Sequence, residues 1–403
     1  MTQVTQSPKR ATLGAGIAML LLSTLPTMAL ILLAPILPQL MHQFAREPGA
    51  DFLVPMILTL PGLCVALTSP IAGYLGDRFG RRKLLIAALL VNGVVGCAPV
   101  FLRSLYPILA SRLVVGLSEA VISTMSSTII ADLFSGPARR RWLAGQPAVA
   151  SISAIVLLNV GGSLGTLGWH VPFWVYSSAL VMMVVVAITT RAEERTEQAH
   201  APAGDAPLMA FPWRAMAVPL VITFLGGILF FTLQIQPSRG FAALGMTNPA
   251  RIGFFISIAA IGVPIGTLIY NRCAKLPTYL IFAAELLLLG VGLAVMGLAR
   301  TPTEFAIGCA ISQVGGGMLL PTLLVNATQH LDYAVRARGM GWWHSVLSLG
   351  QWSSPITITL LTRAQGSLFS AFLWLAGAAF AGAAVALFVP RRRWSRSASE
   401  PRR

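Results

Sequence analysis

Long apolar runs, interrupted at intervals by clusters of charge, dominate the chain. A helix that crosses a bilayer needs about 20 predominantly apolar residues. Twelve runs of that kind fall near 13–38, 52–75, 84–102, 105–131, 142–166, 171–190, 213–236, 252–271, 277–299, 304–330, 339–362 and 367–389. The runs are continuous rather than alternating, which excludes a transmembrane barrel. The pattern predicts an all-α membrane protein with twelve transmembrane helices. The first run follows Lys9 and Arg10. It is too long for a signal-peptide core and eleven more spans follow, so it reads as a retained helix.

Composition agrees with the pattern. Of 403 residues, 56% are hydrophobic and 10% charged, and the mean hydropathy is +0.75. A soluble domain carries about 25% charged residues, so a water-soluble enzyme and a disordered chain are both excluded. The 4 cysteines show no metal spacing and do not make a disulfide framework. No phosphate-cradling Gly-rich loop with its Lys appears, which argues against an ATP-driven machine. No cofactor and no metal is expected.

A net charge of +16 raises the question of nucleic acid, and its distribution answers it. With the N-terminus placed in the cytoplasm, 22 of the 29 basic residues fall in cytoplasmic loops and tails. Six fall outside, at Arg46, Arg103, Arg239, Arg251, Arg300 and Arg363, and Arg112 alone is embedded. That is a positive-inside signal with both termini cytoplasmic. The partners it implies are an anionic bilayer surface, most simply a bacterial inner membrane, and no nucleic acid.

Residues 191–212 break the hydropathy with Arg191, Glu193, Glu194, Arg195 and Glu197, then Ala and Pro. This reads as a cytoplasmic linker between two six-helix bundles, 1–190 and 213–390, followed by a basic tail at 391–403. Weak internal echoes support duplication: Pro70-Ile71-Ala72 against Pro264-Ile265-Gly266, and Arg78 against Arg272.

The loop after the second span reads Gly73-Tyr74-Leu75-Gly76-Asp77-Arg78-Phe79-Gly80-Arg81-Arg82-Lys83. It resembles the signature loop of the major facilitator superfamily. With the twelve spans, the resemblance covers nearly the whole chain. It implies the major facilitator fold and secondary transport of a small molecule by alternating access, by a monomer without enzymatic activity. It implies a gating set of Gly73, Asp77, Arg78, Gly80, Arg81 and Asp132. In that set Asp77 faces the start of helix 11 near Arg338, and Arg81 meets Asp132. Arg112-x-x-x-Gly116-x-x-Glu119 resembles the family's helix 4 motif. Drug–proton antiporters of this family carry a Gly-Pro before the glycine pair of helix 5. Here the residues are Leu157-Leu158-Asn159-Val160-Gly161-Gly162, so the Gly-Pro is missing.

Embedded charge is costly, about 2.5–3.5 kcal/mol on insertion scales, so it marks function. Arg112, Gly116 and Glu119 share one face of helix 4. Burial and the neighbouring arginine act on the Glu119 carboxyl in opposite senses, so it can take up and release a proton during a cycle. Glu119 with Arg112 is the expected proton-coupling pair. Glu285, on a peripheral helix, reads as structural. Phe230, Gln234, Gln313, Asn326, Trp343 and His344, with Arg112, are the expected substrate contacts, because aromatics with scattered amides suit an amphipathic organic compound. The leading expectation is proton-coupled efflux of such a compound. Proton-coupled uptake of an organic anion and a transport-dead receptor are the alternatives.

Overall fold

The computed structural model describes residues 10–134, 136–190, 212–328, 331 and 333–388. The linker through residue 211 and the tail from 389 lie outside the described residues. Twelve rods run through the described chain: α1 (Leu13–Gln43), α2 (Ala50–Phe79), α3 (Arg81–Cys97), α4 (Leu105–Leu133), α5 (Gly136–Gly165) and α6 (Val171–Thr189). Then come α7 (Trp213–Ile235), α8 (Pro249–Cys273), α9 (Thr278–Leu298), α10 (Pro302–Thr328), α11 (Tyr333–Gln365) and α12 (Leu368–Phe388). No strand occurs among the described residues. Eleven of the rods are long and apolar enough to cross a membrane. The twelfth, α11, is more polar because it carries His344, Ser345, Ser348 and Gln351.

Proline explains where the rods break. A proline lacks the N–H that would bond the carbonyl four residues back. In α1, Pro26 and Pro35 stand just after interruptions, and the rod is split into Arg10–Leu21, Thr24–Ile31, a 3-10 turn Ala34–Ile36 and Leu37–Gln43. In α8, Pro264 follows a break at Ile261. Pro61, Pro70, Pro321 and Pro355 lie inside α2, α10 and α11, which run continuously through them. Membrane helices re-satisfy the freed carbonyl by small adjustments. The expected span near 213–236 continues into a short helix, Pro237–Ala243, before α8 begins. The Asn248 side chain caps α8, accepting from the amides of Ala250 and Arg251. The hinge between α2 and α3 is Gly80, whose φ of 87° is left-handed backbone that a side chain disfavours.

Lipid is as apolar as leucine, so rods associate by close packing rather than by hydrophobic exclusion. At Gly116 a Cβ would stand 2.6 Å from Pro61 Cα and 2.7 Å from Cys64 Cβ. The backbones of α2 and α4 therefore touch. Within the first six rods, α4 packs on α2 and α3, and α3 on α6. Within the last six, α9 packs on α10 and α12, α7 on α11, and α8 on α10. The two sets meet along α2–α11 and along α5 with the first half of α8, Pro249–Ala260. The outward faces carry large apolar side chains such as Leu67, Val181, Val218 and Leu387. A contiguous surface of this kind belongs in a bilayer.

One end of the molecule holds Asp51, Gly165, Pro249 and Arg363, and the other holds Gly80. The Asp51 end is closed by contacts between the two sets. Arg363 of α11 grips Asp51 of α2, with Nη2 at 2.6 Å and Nε at 2.8 Å from the same Oδ2. The hydroxyl of Thr359 donates to the Asp51 carbonyl at 3.2 Å, and the Arg363 guanidinium lies 4.5 Å from the Phe52 ring centre. Gly162 of α5 abuts the backbone of Pro249. The helix Pro237–Ala243 lies against the last segment of α1.

Candidate functional site

Glu119 lies at the midpoint of α4 and is 2% exposed. Its face of the helix looks into a cavity of about 140 Å³ lined by Pro26, Ala29, Pro61, Gly62, Val65, Ser348 and Gln351. Those residues come from α1, α2 and α11, so the cavity sits between the two sets of six. Pro61 and Gly62 remove bulk from α2 at this level, and the Gln351 amide fills the space over Gly62, 2.8 Å from where a Cβ would be. Glu119 Oε1 has no hydrogen-bond partner among the described residues. A buried carboxyl oxygen without a donor is a costly arrangement in an apolar surrounding.

Arg112 lies on the same helix but serves a different place. It is fully buried and points toward α3 and α6. Its Nη2 donates to the Gly96 carbonyl at 3.1 Å. The guanidinium sits 5.1 Å from the Phe173 ring centre and 4.8 Å from that of Tyr176. Flat guanidinium against two ring faces is cation–π packing. Nothing lines the Glu119 cavity from Arg112. Glu119 thus faces the seam while the Arg112 guanidinium is held against α3 and α6, and the charge of Arg112 still acts on the Glu119 carboxyl.

The other expected substrate contacts lie away from the Glu119 cavity. Gln234 of α7 donates through Nε2 to Gln313 Oε1 of α10 at 3.2 Å, and both amides are buried. Phe230 is buried beside them, edge-on to Phe231 at 5.2 Å. Asn326 is buried on α10. Trp343 is buried and edge-on to the exposed His344 at 4.8 Å. None of these six lines the Glu119 cavity. The cavity residues that sequence reasoning passed over are Ser348 and Gln351. Their signal was polarity at i and i+3 on a membrane helix.

At the Gly80 end, Gly73 and Gly76 of α2 lie against Thr124 and Met125 of α4. Arg81 forms an ion pair with Asp132 at the end of α4. Arg82 caps the end of α6, donating from Nη2 to the Ala187 carbonyl at 2.9 Å and from Nε to Thr190 Oγ1 at 3.0 Å, a favourable place for a cation. Arg78 is exposed beside Phe79. The side chains of Asp77 and Arg338 lie outside the described residues. Glu285 of α9 is fully buried and accepts from the Thr322 hydroxyl at 2.8 Å. No cluster of three metal-ligating side chains occurs among the described residues.

The profile of the Major Facilitator Superfamily matches residues 19–337. The chain belongs to this superfamily. Twelve rods in two sets of six, meeting along α2–α11 and α5–α8, are the major facilitator fold. The chain is accordingly a multi-pass membrane transporter and not an enzyme. It is 25% identical over 386 residues to the class G tetracycline resistance protein of Vibrio anguillarum, covering 91% of this chain and 94% of that one. It is 24% identical over 393 residues to the class C tetracycline resistance protein of Escherichia coli, covering 93% and 96%. The bacillibactin exporter of Bacillus subtilis is 33% identical over 162 residues, 38% of this chain and 40% of that one. Among solved structures, a bacterial homologue of the human lysosomal transporter Spinster, inward-facing and unoccupied, superimposes with a TM-score of 0.74 at 15% identity. The match covers 98% of this chain and 100% of that one. A peptide transporter in complex with sulfate gives 0.73 at 15% identity, covering 98% and 96%. At such identities these two likenesses concern the fold alone.

Proposed function

We propose that this transporter exports a small amphipathic or aromatic organic compound in exchange for protons, with Glu119 as the coupling carboxyl. The observation that carries the proposal is Glu119 Oε1, buried and without a donor, at a cavity built from both halves. In a low-dielectric seam an ionised carboxylate is costly unless paired. A cycle that delivers a proton to it from one side, and removes it to the other, couples proton flow to the rocking of the halves. The efflux direction draws on the tetracycline resistance proteins and the bacillibactin exporter, whose likeness to this chain spans most of its length or a large part of it.

In this reading the two bundles, 1–190 and 213–390, move as bodies joined by the linker 191–212. The Gly80 end and both termini face the cytoplasm of a bacterial inner membrane, as the basic residues direct. The Asp51 end is then external and closed. Gly73, Asp77, Arg78, Gly80, Arg81 and Asp132 form the internal gate. Arg112 acts as a positioning residue that fixes α4 against α3 and α6. Uptake of an organic anion is the second reading, favoured by Arg112 Nη1, which is buried without a hydrogen-bond partner among the described residues while Gly96 holds Nη2 and Phe173 and Tyr176 cover the guanidinium face.

The test is reconstitution in proteoliposomes with an imposed pH gradient and a panel of cationic, neutral and anionic compounds, tetracycline among them. Proton-driven movement out of the basic-facing compartment is the expected result. Glu119→Gln is expected to abolish uphill movement while downhill exchange persists. Intact uphill transport in Glu119→Gln overturns the assignment.

A further inference from the structure

Beyond Glu119, α4 carries a run of hydroxyls toward the Gly80 end. Toward the Asp51 end Gly116 is sealed against Pro61 and Cys64, and Ser118 and Arg112 are bound to α3. Toward the Gly80 end the same face carries Ser123, Ser126 and Ser127, at i+4, i+7 and i+8 from Glu119. A single amide from α5 joins two of them. Ser127 Oγ donates to Gln146 Oε1 at 3.0 Å, and Gln146 Nε2 donates to Ser126 Oγ at 3.4 Å.

Most hydroxyls in membrane helices settle on the carbonyl three or four residues back. Ser123 does so, donating to Ala120 O at 3.2 Å. Ser127 has two acceptors for one proton, because the Ser123 carbonyl also stands at 3.0 Å. A hydroxyl whose one hydrogen is taken up by such an acceptor keeps a lone pair free to hold a water, so the stripe is able to order water along α4. The stripe from Glu119 to Ser127 spans about 12 Å at 1.5 Å per residue. Asp132, ion-paired to Arg81, stands just beyond at the Gly80 end. Arg139 lies at the same mouth, donating to the Phe134 carbonyl at 2.8 Å.

We propose that Ser123, Ser126, Ser127 and Gln146 are the proton route between Glu119 and the Gly80 end. The inference rests on Glu119 being the coupling carboxyl. The step moves one proton and changes no other bond. The Glu119 carboxyl gives its proton to a water held beside Ser123, each water held along the hydroxyls accepts one proton and passes on another, and one proton leaves to bulk water at the mouth. Reloading runs the same transfers in reverse. Gln146 carries no proton itself. Its two ends hold Ser126 and Ser127 in register.

The experiment reads protonation of Glu119 directly and needs no substrate. Full-length protein in lipid nanodiscs is subjected to a rapid pH jump while the carboxyl C=O band in the infrared is followed. The band belonging to Glu119 is the one missing in Glu119→Gln. A Ser127→Ala/Gln146→Leu variant is expected to protonate about ten-fold more slowly, with unchanged final amplitude. Ser127→Thr, which keeps the hydroxyl, is expected to retain the wild-type rate. Ser123→Ala alone supplies a second, milder lesion should the double variant fold poorly, and is expected to slow the band as well. Wild-type rates in both lesions overturn the route while leaving Glu119 as the coupling site. If Glu119→Gln removes no titrating band, the coupling assignment itself fails and the route with it.

Discussion

The Asp51–Arg363 contact sets how firmly the Asp51 end is shut, and Asp51→Asn measures it. The variant keeps shape and removes one charge. Arg363 is 59% exposed and Asp51 34%, so this is a screened surface pair, and such pairs contribute about 0.2–1 kcal/mol. Both Nη2 and Nε reach the same oxygen, and the guanidinium also covers Phe52. That geometry places the pair toward the upper part of the range. The pair exists only while α2 and α11 are together, so its whole value biases the equilibrium between closed and open states. With RT near 0.59 kcal/mol, a loss of about 1 kcal/mol raises the open-to-closed ratio about five-fold. Spin labels on α2 and α11 near this end, read by pulsed electron resonance, report that ratio. The expected result is a larger long-distance population in Asp51→Asn and in Arg363→Gln. The double variant should be no more open than either single one, and high salt should reproduce part of the shift. If the distance distribution of Asp51→Asn matches wild type at low salt, the closure is held by backbone packing alone and the reasoning fails.

Three further outcomes follow from the packing. Arg112→Lys keeps the charge but loses the planar contact with two rings, worth about 0.5–2 kcal/mol each by the general range for cation–π pairs. It is expected to lower the melting temperature of the purified protein without changing the apparent affinity for any transported compound. Gln234→Leu leaves Gln313 Oε1 without its donor, at a cost of about 1–3 kcal/mol, whereas Gln234→Leu/Gln313→Leu replaces both partners and should be near neutral. Thermal melts of the two singles and the double decide it. Gly116→Val drives side-chain atoms into Pro61 and is expected to destabilise by about 1–3 kcal/mol, with loss of folded yield as the readout.

Much of the fold was written locally. Twelve apolar runs, the break in charge at 191–212 and the loop from Gly73 to Lys83 require no knowledge of what touches what. Each reflects a cost that any bilayer imposes on a single segment. The same is true of the embedded charges, since a lone Glu119 or Arg112 in an apolar run is conspicuous by itself. Proline was less readable. Pro26, Pro35 and Pro264 stand just after breaks in their rods, while Pro61 and Pro355 lie within unbroken helices.

Pairing across space was decided only by the tertiary structure. Helical spacing put Arg112 and Glu119 on one face, yet a face about 10 Å long can look at two neighbours. The bulk of Phe173 and Tyr176 and the carbonyl of Gly96 draw Arg112 into the first bundle, while the absence of bulk at Pro61 and Gly62 leaves Glu119 facing α11. Ser348, Gln351, Gln146 and the Asp51–Arg363 contact come from segments distant in sequence. Their meaning depends on which helix ends up opposite, and a single chain read residue by residue does not contain that information.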